Sequence, residues 1–173
     1  SMVVCAAGKR RVSMPAYGTL SLAGVLAAGE PQAPLDARAA GFVPGEGVGV
    51  LLLKRLADAR RDGDRIHAVL RSVGSAHDES WGKALEMALE RSLEAAGAAP
   101  ADLAVFEVDS CGIAQVDQEQ LGALAKVERA AARREPLLLG SVVAQIGHAG
   151  GASGMASLGK TILELERGEL PAT

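Results

Sequence analysis

The chain has 173 residues, of which 49% are hydrophobic, and its formal net charge is −3. This length predicts one domain with a sizeable core, and since only four residues are aromatic, the core must be mainly aliphatic. Without a basic stripe, a stacking platform or a run of about 18 apolar residues, neither nucleic-acid binding nor a membrane span is expected. Two cysteines, Cys5 and Cys111, suit a reducing cytoplasm. Short basic clusters at 9–11 and 133–134 are interpreted as solvated surface, with an acidic partner as the alternative.

The first half of the chain predicts strands separated by a long loop. Residues 3–8 are apolar and end at a glycine, which predicts a short strand. Residues 13–40 contain three prolines and several glycines, which predicts a loop with short helical turns. The apolar run 49–53 predicts a strand buried on both faces. After a polar turn at 60–64, the alternation in residues 66–73 predicts a second strand, antiparallel to it.

In the second half, predicted helices alternate with strands. Ser80 is expected to cap a helix that Gly97 closes and that Pro100 cannot continue. Beyond it the pattern predicts a strand, a helix, a strand and a helix, at residues 103–108, 118–132, 137–142 and 151–167. This alternation argues for an α/β fold with a mainly parallel sheet flanked by helices.

Several ordered segments resemble one enzyme family. Residues 41–56 closely resemble the ketosynthase segment GFVRGEGAGVLVLKRL, and residues 35–40 resemble the FDARADG stretch that precedes it. Residues 62–71 resemble DGDRIYAVIR, residues 140–148 resemble GSVKSNIGH, and the end of the chain at 168–173 resembles GVLPPT. Over most of its length the chain therefore resembles the C-terminal half of a β-ketoacyl synthase from polyketide and fatty-acid synthases.

The resemblance implies the thiolase fold, which consists of two similar halves. On this basis residues 1–40 are the end of the first half with connecting loops. Residues 41–173 are the C-terminal half, with a mixed, mostly parallel five-stranded sheet flanked by helices. The nucleophilic cysteine of active members precedes the corresponding segment, so it is expected to lie outside this chain.

The positions that carry catalysis in the family are mostly changed here. A ketosynthase needs a thiolate for the acyl chain and donors to the thioester oxygen on which an enolate forms. The family supplies these donors as two histidines and a lysine. Counting back without gaps from residues 123–127, which resemble ALAEV, places Asp109 at the first histidine. Val143 stands at the lysine position and Gln145 at an asparagine, whereas His148 is retained.

These replacements argue against condensation. A carboxylate is ionised near pH 7 and repels enolate charge, and valine can neither donate a hydrogen bond nor carry charge. The alternative is that burial keeps Asp109 neutral, so that it can donate. His148 is interpreted as a side chain held by backbone at a helix start. The alternative is that His148, together with Gly147, contacts a thioester or pantetheine at a vestigial site.

Neither cysteine is predicted to react. Cys111 lies in the former histidine loop, but no histidine is close in sequence and Asp109 is expected to raise the pKa of the thiol. Cys5 is predicted to be a packed small residue. The glycines at 45–49 precede a strand, so they are not a dinucleotide fingerprint. Those at 147–154 are predicted to pack closely, with anion binding at the helix start as the alternative. After residue 78 the chain lacks a longer family loop, which removes a wall of the acyl site.

Two main functions are left by the resemblance. The first is a non-catalytic domain similar to a chain-length factor, or to the second condensing-enzyme-like domain of polyunsaturated fatty acid synthases. Such a domain pairs with an active ketosynthase, or with its own N-terminal half, and shapes the acyl site. The second is a fragment of a larger enzyme with residual acyl transfer or malonyl decarboxylation on carrier-protein thioesters; a degenerate supporting module is a third.

The resemblance implies a cytoplasmic homo- or heterodimer and an acyl carrier protein as partner. No metal or cofactor of its own is expected, and the carrier's phosphopantetheine is a possible ligand.

Overall fold

The computed structural model describes residues 2–10, 13–131 and 135–171. Within these ranges four strands form two separate two-stranded sheets, and six α-helices surround them. The strands are β1 (Met2–Lys9), β2 (Gly47–Lys54), β3 (Val105–Glu107) and β4 (Leu138–Gly140). The helices are α1 (Met14–Leu22), α2 (Leu56–Asp62), α3 (Trp81–Ala96), α4 (Ala114–Ala131), α5 (Val143–Ile146) and α6 (Ser153–Arg167).

The first sheet is an antiparallel pair of eight-residue strands, β1 and β2, which confirms both predicted strands. Its inner face lies on α6, and Gly49 gives room for this contact, since a Cβ there would lie 2.7 Å from that of Met155. The outer face is uncovered: Val48, Val50 and Leu52 are 74%, 63% and 64% exposed. The prediction that this strand is buried on both faces is therefore wrong, because α6 covers one face only. Cys5 is exposed on β1, so the prediction that it is packed is also wrong.

The second sheet is a short parallel pair, β3 and β4. Its register runs from Val105 opposite Leu138 to Glu107 opposite Gly140. The Val108 amide then donates to the Gly140 carbonyl at 2.7 Å. The expectation of parallel pairing is confirmed for these strands. The single five-stranded sheet is not formed by the described residues, which make two sheets of two strands instead.

The segment at 66–73 forms no strand and joins neither sheet, so this prediction is wrong. Side chains hold the segment on helices instead. The Ser72 hydroxyl donates to the Ser92 carbonyl of α3 at 2.7 Å, and His67 Nδ1 lies 2.6 Å from Glu166 Oε1 of α6. Alternation in a sequence indicates extended backbone, but it does not supply the neighbouring strand that a ladder needs.

The helices follow the sequence signals most closely at α3. The Ser80 hydroxyl accepts the Lys83 amide at 3.2 Å, and Gly97 adopts the left-handed conformation after the last turn, as predicted. Helices α4 and α6 confirm the predictions at 118–132 and 151–167, although α4 begins at Ala114 and Ala132 lies outside the described residues. Three helices were missed: α1 inside the predicted loop, α2, which contains part of the predicted polar turn, and the short α5.

The core is small and aliphatic, as the composition predicts. Its buried apolar residues include Val108, Leu124, Val142 and Val143, each at most 6% exposed. Among the described residues, no helix has the length and apolar character needed to cross a membrane. Of the basic clusters, Arg11, Arg133 and Arg134 lie outside the described residues, as does the end of the GVLPPT-like segment.

Candidate functional site

Two loops bring Asp109 and His148 together. Asp109 follows the end of β3, and His148 follows α5, which itself follows β4. Because β3 and β4 are parallel neighbours, both loops leave the same end of the sheet. The His148 Nε2 atom lies 3.9 Å from Asp109 Oδ1. The retained histidine therefore faces a carboxylate whose side chain is 56% exposed.

His148 is fixed mainly through its backbone. Its amide donates to the Val43 carbonyl at 2.8 Å, and its carbonyl accepts the Gly45 amide at 3.0 Å. Lys9 Nζ adds a hydrogen bond to the same carbonyl at 3.3 Å. The imidazole lies against the Phe42 ring, with centroids 4.7 Å apart. Hydrogen bonds therefore hold the main chain of His148, while its side chain rests on an aromatic ring; that backbone holds the side chain stays a prediction.

Glycines allow this close approach of backbone segments. Gly147 has a φ of 73°, and a Cβ there would lie 2.7 Å from the Val43 carbonyl oxygen. A Cβ on Gly45 would collide with the Ile146 carbonyl oxygen. Both positions therefore require glycine, which agrees with the predicted close packing of the 147–154 region at its first residue. Gly151 and Gly154 have open space instead.

Asp117 is a site residue that the sequence reasoning missed. It lies in the first turn of α4 and is 5% exposed. Its Oδ1 accepts the Cys111 amide at 3.1 Å, and its Oδ2 accepts the Gly112 amide at 3.0 Å. An acidic residue in a first helical turn just after a glycine is a recognisable signal for such a contact. The predicted helix began one residue too late to include it.

Cys111 is half-buried beside two carboxylates. Burial raises the pKa of its thiol; the Ile113 amide opposes this, and the charges of Asp117 and Asp109 raise it further. Its Sγ lies 3.9 Å from Asp117 Oδ1. A raised pKa lowers the thiolate fraction near neutrality, so this environment does not activate a nucleophile.

The other predicted positions lie away from Asp109 and His148. Val143 is 5% exposed and belongs to the core. Gln145 is exposed at the mouth of a cavity of about 510 Å³ that α6 residues also line. The structure thus brings Asp109, Cys111 and His148 to one end of the β3–β4 sheet, while Gln145 borders a cavity beside α6.

A buried cluster of charged side chains joins the end of β3, which leads to the Asp109 loop, to helix α6. Lys160 Nζ of α6 lies 2.6 Å from Glu107 Oε2 and 2.8 Å from Glu164 Oε1. All three side chains are less than 10% exposed. Burial by itself lowers the pKa of Lys160, but hydrogen bonds to the two carboxylates outweigh it and the pKa is raised. Glu107 and Lys160 were not singled out in the sequence.

No group of three histidine, cysteine, aspartate or glutamate side chains suited to a metal ion occurs in residues 2–10, 13–131 and 135–171. The loops carry the His148 imidazole, the Asp109 carboxylate and the Cys111 thiol, whose pKa is raised.

Comparison with known proteins gives the family. The profile described as "Beta-ketoacyl synthase, C-terminal domain" matches residues 67–173, and the profile of the N-terminal domain matches residues 1–59. The chain belongs to the β-ketoacyl synthase family and has its thiolase-like fold. The change from one profile to the other falls between residues 59 and 67. The boundary expected from the sequence between the two halves of the fold lies earlier, after residue 40.

The relatives are polyketide synthases. The highly reducing polyketide synthase tstA of Talaromyces stipitatus is 42% identical over 77% of the chain, and the match spans 6% of that protein. The oxazolomycin ketosynthase domain OzmH KS7 of Streptomyces albus JA3453 is 31% identical, with a TM-score of 0.87 over 99% of the chain and 32% of that domain. The structure titled "PfaC Keto synthase-Chain length factor" is 28% identical, with a TM-score of 0.87 over 99% of the chain and 19% of its own.

Proposed function

We propose that this chain is part of a ketosynthase-like domain that does not condense acyl chains and instead supports an active ketosynthase, as a chain-length factor does. One observation carries the proposal: a carboxylate lies 3.9 Å from the retained imidazole. Decarboxylative condensation builds negative charge on an oxygen, and preorganised donors at that oxygen are the largest source of rate. Asp109 puts negative charge beside His148 instead.

The alternative, residual acyl transfer within this segment, needs a nucleophile. Cys111 is the thiol on the loop that carries Asp109, but its raised pKa and the carboxylate of Asp117 disfavour the thiolate. The local chemistry thus favours the supporting role. A nucleophile elsewhere in a longer protein would change the activity of that protein, but not the chemistry of this pair of loops.

The proposed partners are an active ketosynthase, or a preceding N-terminal half, and an acyl carrier protein in the cytoplasm. The uncovered apolar face of the β1–β2 sheet supports pairing, because a contiguous exposed apolar surface marks an interaction site. The chain spans about 6% of the length of the curated relatives it matches, so these partners are proposed by family relationship. The homo- or heterodimeric state belongs to the same proposal.

A decarboxylation assay tests the proposal. The protein is incubated with malonyl-carrier protein, and both carbon dioxide release and the mass of protein and carrier are followed. We expect release at the chemical background, and the same result for His148→Ala, because no donor pair stabilises the enolate. An active condensing ketosynthase is the positive control. Carbon dioxide release well above background that His148→Ala removes would overturn the proposal, as would a stable acyl adduct on Cys111.

A further inference from the structure

The clearest feature outside the loops themselves is the buried cluster of Glu107, Lys160 and Glu164. Glu107 is the last residue of β3 and precedes Asp109 by two positions. Its Oε2 accepts from Lys160, while its Oε1 accepts the Val142 amide at 2.5 Å. Val142 is the residue from which α5 starts toward His148. One carboxylate therefore contacts the segments that lead to both loops.

We propose that Lys160 is a positioning residue for the Asp109–His148 pair, acting through Glu107. The ammonium holds the carboxylate in the one orientation in which its second oxygen reaches the start of α5. Both ions are almost completely buried, at 8% and 6% side-chain exposure. In that environment the charge-assisted hydrogen bond is strong, and a carboxylate that loses its partner must reorient or take up a proton.

The surrounding backbone is shaped for this ion pair. A Cβ on Gly140 would lie 2.5 Å from Glu107 Oε2 and 2.6 Å from Lys160 Nζ. Gly140 therefore leaves space at the place where the two charged groups meet, and its φ does not lie in the left-handed region that favours glycine. A side chain there would separate the pair without removing a charge. This gives a way to disturb the contact that leaves both ions in the sequence.

A change at Glu164 distinguishes whether the Glu107–Lys160 contact positions the two loops or only stabilises the fold. It lies one turn after Lys160 on α6 and pairs with the lysine, whereas the partner of the Val142 amide is Glu107. If the cluster only stabilises the fold, removing the Glu164 charge acts like any other change in the cluster. If the Glu107–Lys160 contact positions the loops, Glu164→Gln leaves them in place.

The test combines nuclear magnetic resonance with equilibrium unfolding of the full chain. The readouts are the Overhauser contacts between the Phe42 and His148 rings and the amide shifts of residues 109 and 148. We expect Lys160→Met and Gly140→Ala to weaken or remove the ring contacts and to move both amides. Glu164→Gln and Gly159→Ala should leave them unchanged. Gly159 is a matched control for Gly140, since a Cβ there meets nothing within 4 Å.

Glu107→Gln is the milder variant in case Lys160→Met does not fold, because the amide oxygen can still accept from Val142. It should produce smaller shifts of the same amides in the same direction. The proposal is wrong if the variants that fold lose stability while the ring contacts and amide positions stay as in the original chain. It is also wrong if Glu164→Gln moves the two loops as far as the change at Lys160 or Glu107.

Discussion

Asp117 fixes the loop before α4 with a single buried carboxylate. It accepts the amides of Cys111 and Gly112, and a Cβ on Gly112 would collide with the Gly41 carbonyl oxygen. Two buried N–H groups therefore depend on one side chain, in a place where the backbone is closely packed. An N–H group that loses its acceptor in such a place costs free energy, because water cannot readily replace the acceptor.

We expect Asp117→Ala to lower the free energy of unfolding by about 2 kcal/mol, the usual cost of leaving a buried group unsatisfied. Asp117→Asn should lose less, since its amide oxygen can still accept one N–H. Urea unfolding followed by circular dichroism measures both. Asp102→Ala is the matched control: Asp102 also accepts a backbone amide, that of Ala99 at 2.8 Å, but on the surface. Equal losses of unfolding free energy for Asp117→Ala and Asp102→Ala would contradict this role of the buried Asp117 carboxylate.

Some residues of the site can be identified from the sequence, and others cannot. Asp109 was singled out by counting from a recognisable segment, and in the structure its Oδ1 lies 3.9 Å from His148 Nε2. Glu107 and Lys160 could not, because 53 positions separate them and neither carries a local signal. Gln145 was placed by alignment alone, and alignment cannot tell which side of α5 a residue faces. Contacts between distant residues follow from how the elements pack.

At the scale of elements, the start of α3 is joined to α4. The Ser80 hydroxyl accepts the Lys83 amide at 3.2 Å and donates to Glu119 Oε2 at 2.9 Å, while the Gly82 amide donates to the same oxygen at 3.2 Å. A helix cap is thus shared with a neighbouring helix, and the two contacts reinforce each other.

Replacing the cap tests its contribution. Ser80→Ala should destabilise the chain by about 1 kcal/mol, as loss of a serine N-cap usually does. Ser80→Asp keeps an acceptor for Lys83 but places a second carboxylate beside Glu119, so it should recover little. The midpoint and slope of urea unfolding report both changes. A Ser75→Ala control removes a serine before the helix; a loss of the same size there would argue against capping.

The pH dependence of stability follows from Glu119. The Gly82 amide and then the Ser80 hydroxyl lower the pKa of this carboxyl below its ordinary value of 4.5. A lowered folded-state pKa means that the ionised form stabilises the fold, fully so above the unfolded-state pKa. This contribution disappears as pH falls from about 4.5 through the folded-state pKa. The stability difference between the original chain and Glu119→Gln should therefore be largest near neutrality and shrink below pH 4.5. A stability difference that stays constant across this pH range would show that the ionisation of Glu119 does not contribute to stability.

The elements differ in how far sequence determines them. Helix α3 was predicted with its bounds because Ser80, Gly97 and Pro100 are local signals of its start and end. The segment at 66–73 was predicted as a strand but forms none, because strand pairing depends on residues elsewhere in the chain. Both strands of the first sheet fall in the segment matched by the N-terminal profile, and both strands of the second in the other.

At the scale of the whole molecule, the outer face of the β1–β2 sheet is an uncovered apolar surface. Three cross-strand pairs form it: Val4 with Leu52, Ala6 with Val50, and Gly8 with Val48. Val4 is 66% exposed, which matches its neighbours across the strand. An apolar, two-stranded sheet with open edges tends to associate.

We expect the isolated chain to self-associate in size-exclusion chromatography with light scattering. The double variant Val50→Lys/Leu52→Lys should shift it toward a monomer, because two charges cannot be buried in a sheet-to-sheet contact without partners. Val73→Lys is the control, since Val73 is 77% exposed but lies outside the sheet. A monomer at every concentration tested, or equal effects of the two changes, would show that this face does not drive association.

The short strip from Phe42 to Gly45 belongs to the N-terminal match, yet it carries the ring under His148 and both backbone partners of that residue. Gly41 beside it donates its amide to the Gly112 carbonyl at 2.8 Å. The residues that hold His148 in place therefore come from both matched segments. A polypeptide trimmed to residues 67–173 for expression would lack the residues that hold His148 in place. A hybrid made from the halves of two different synthases would have to keep these contacts between the two matched segments.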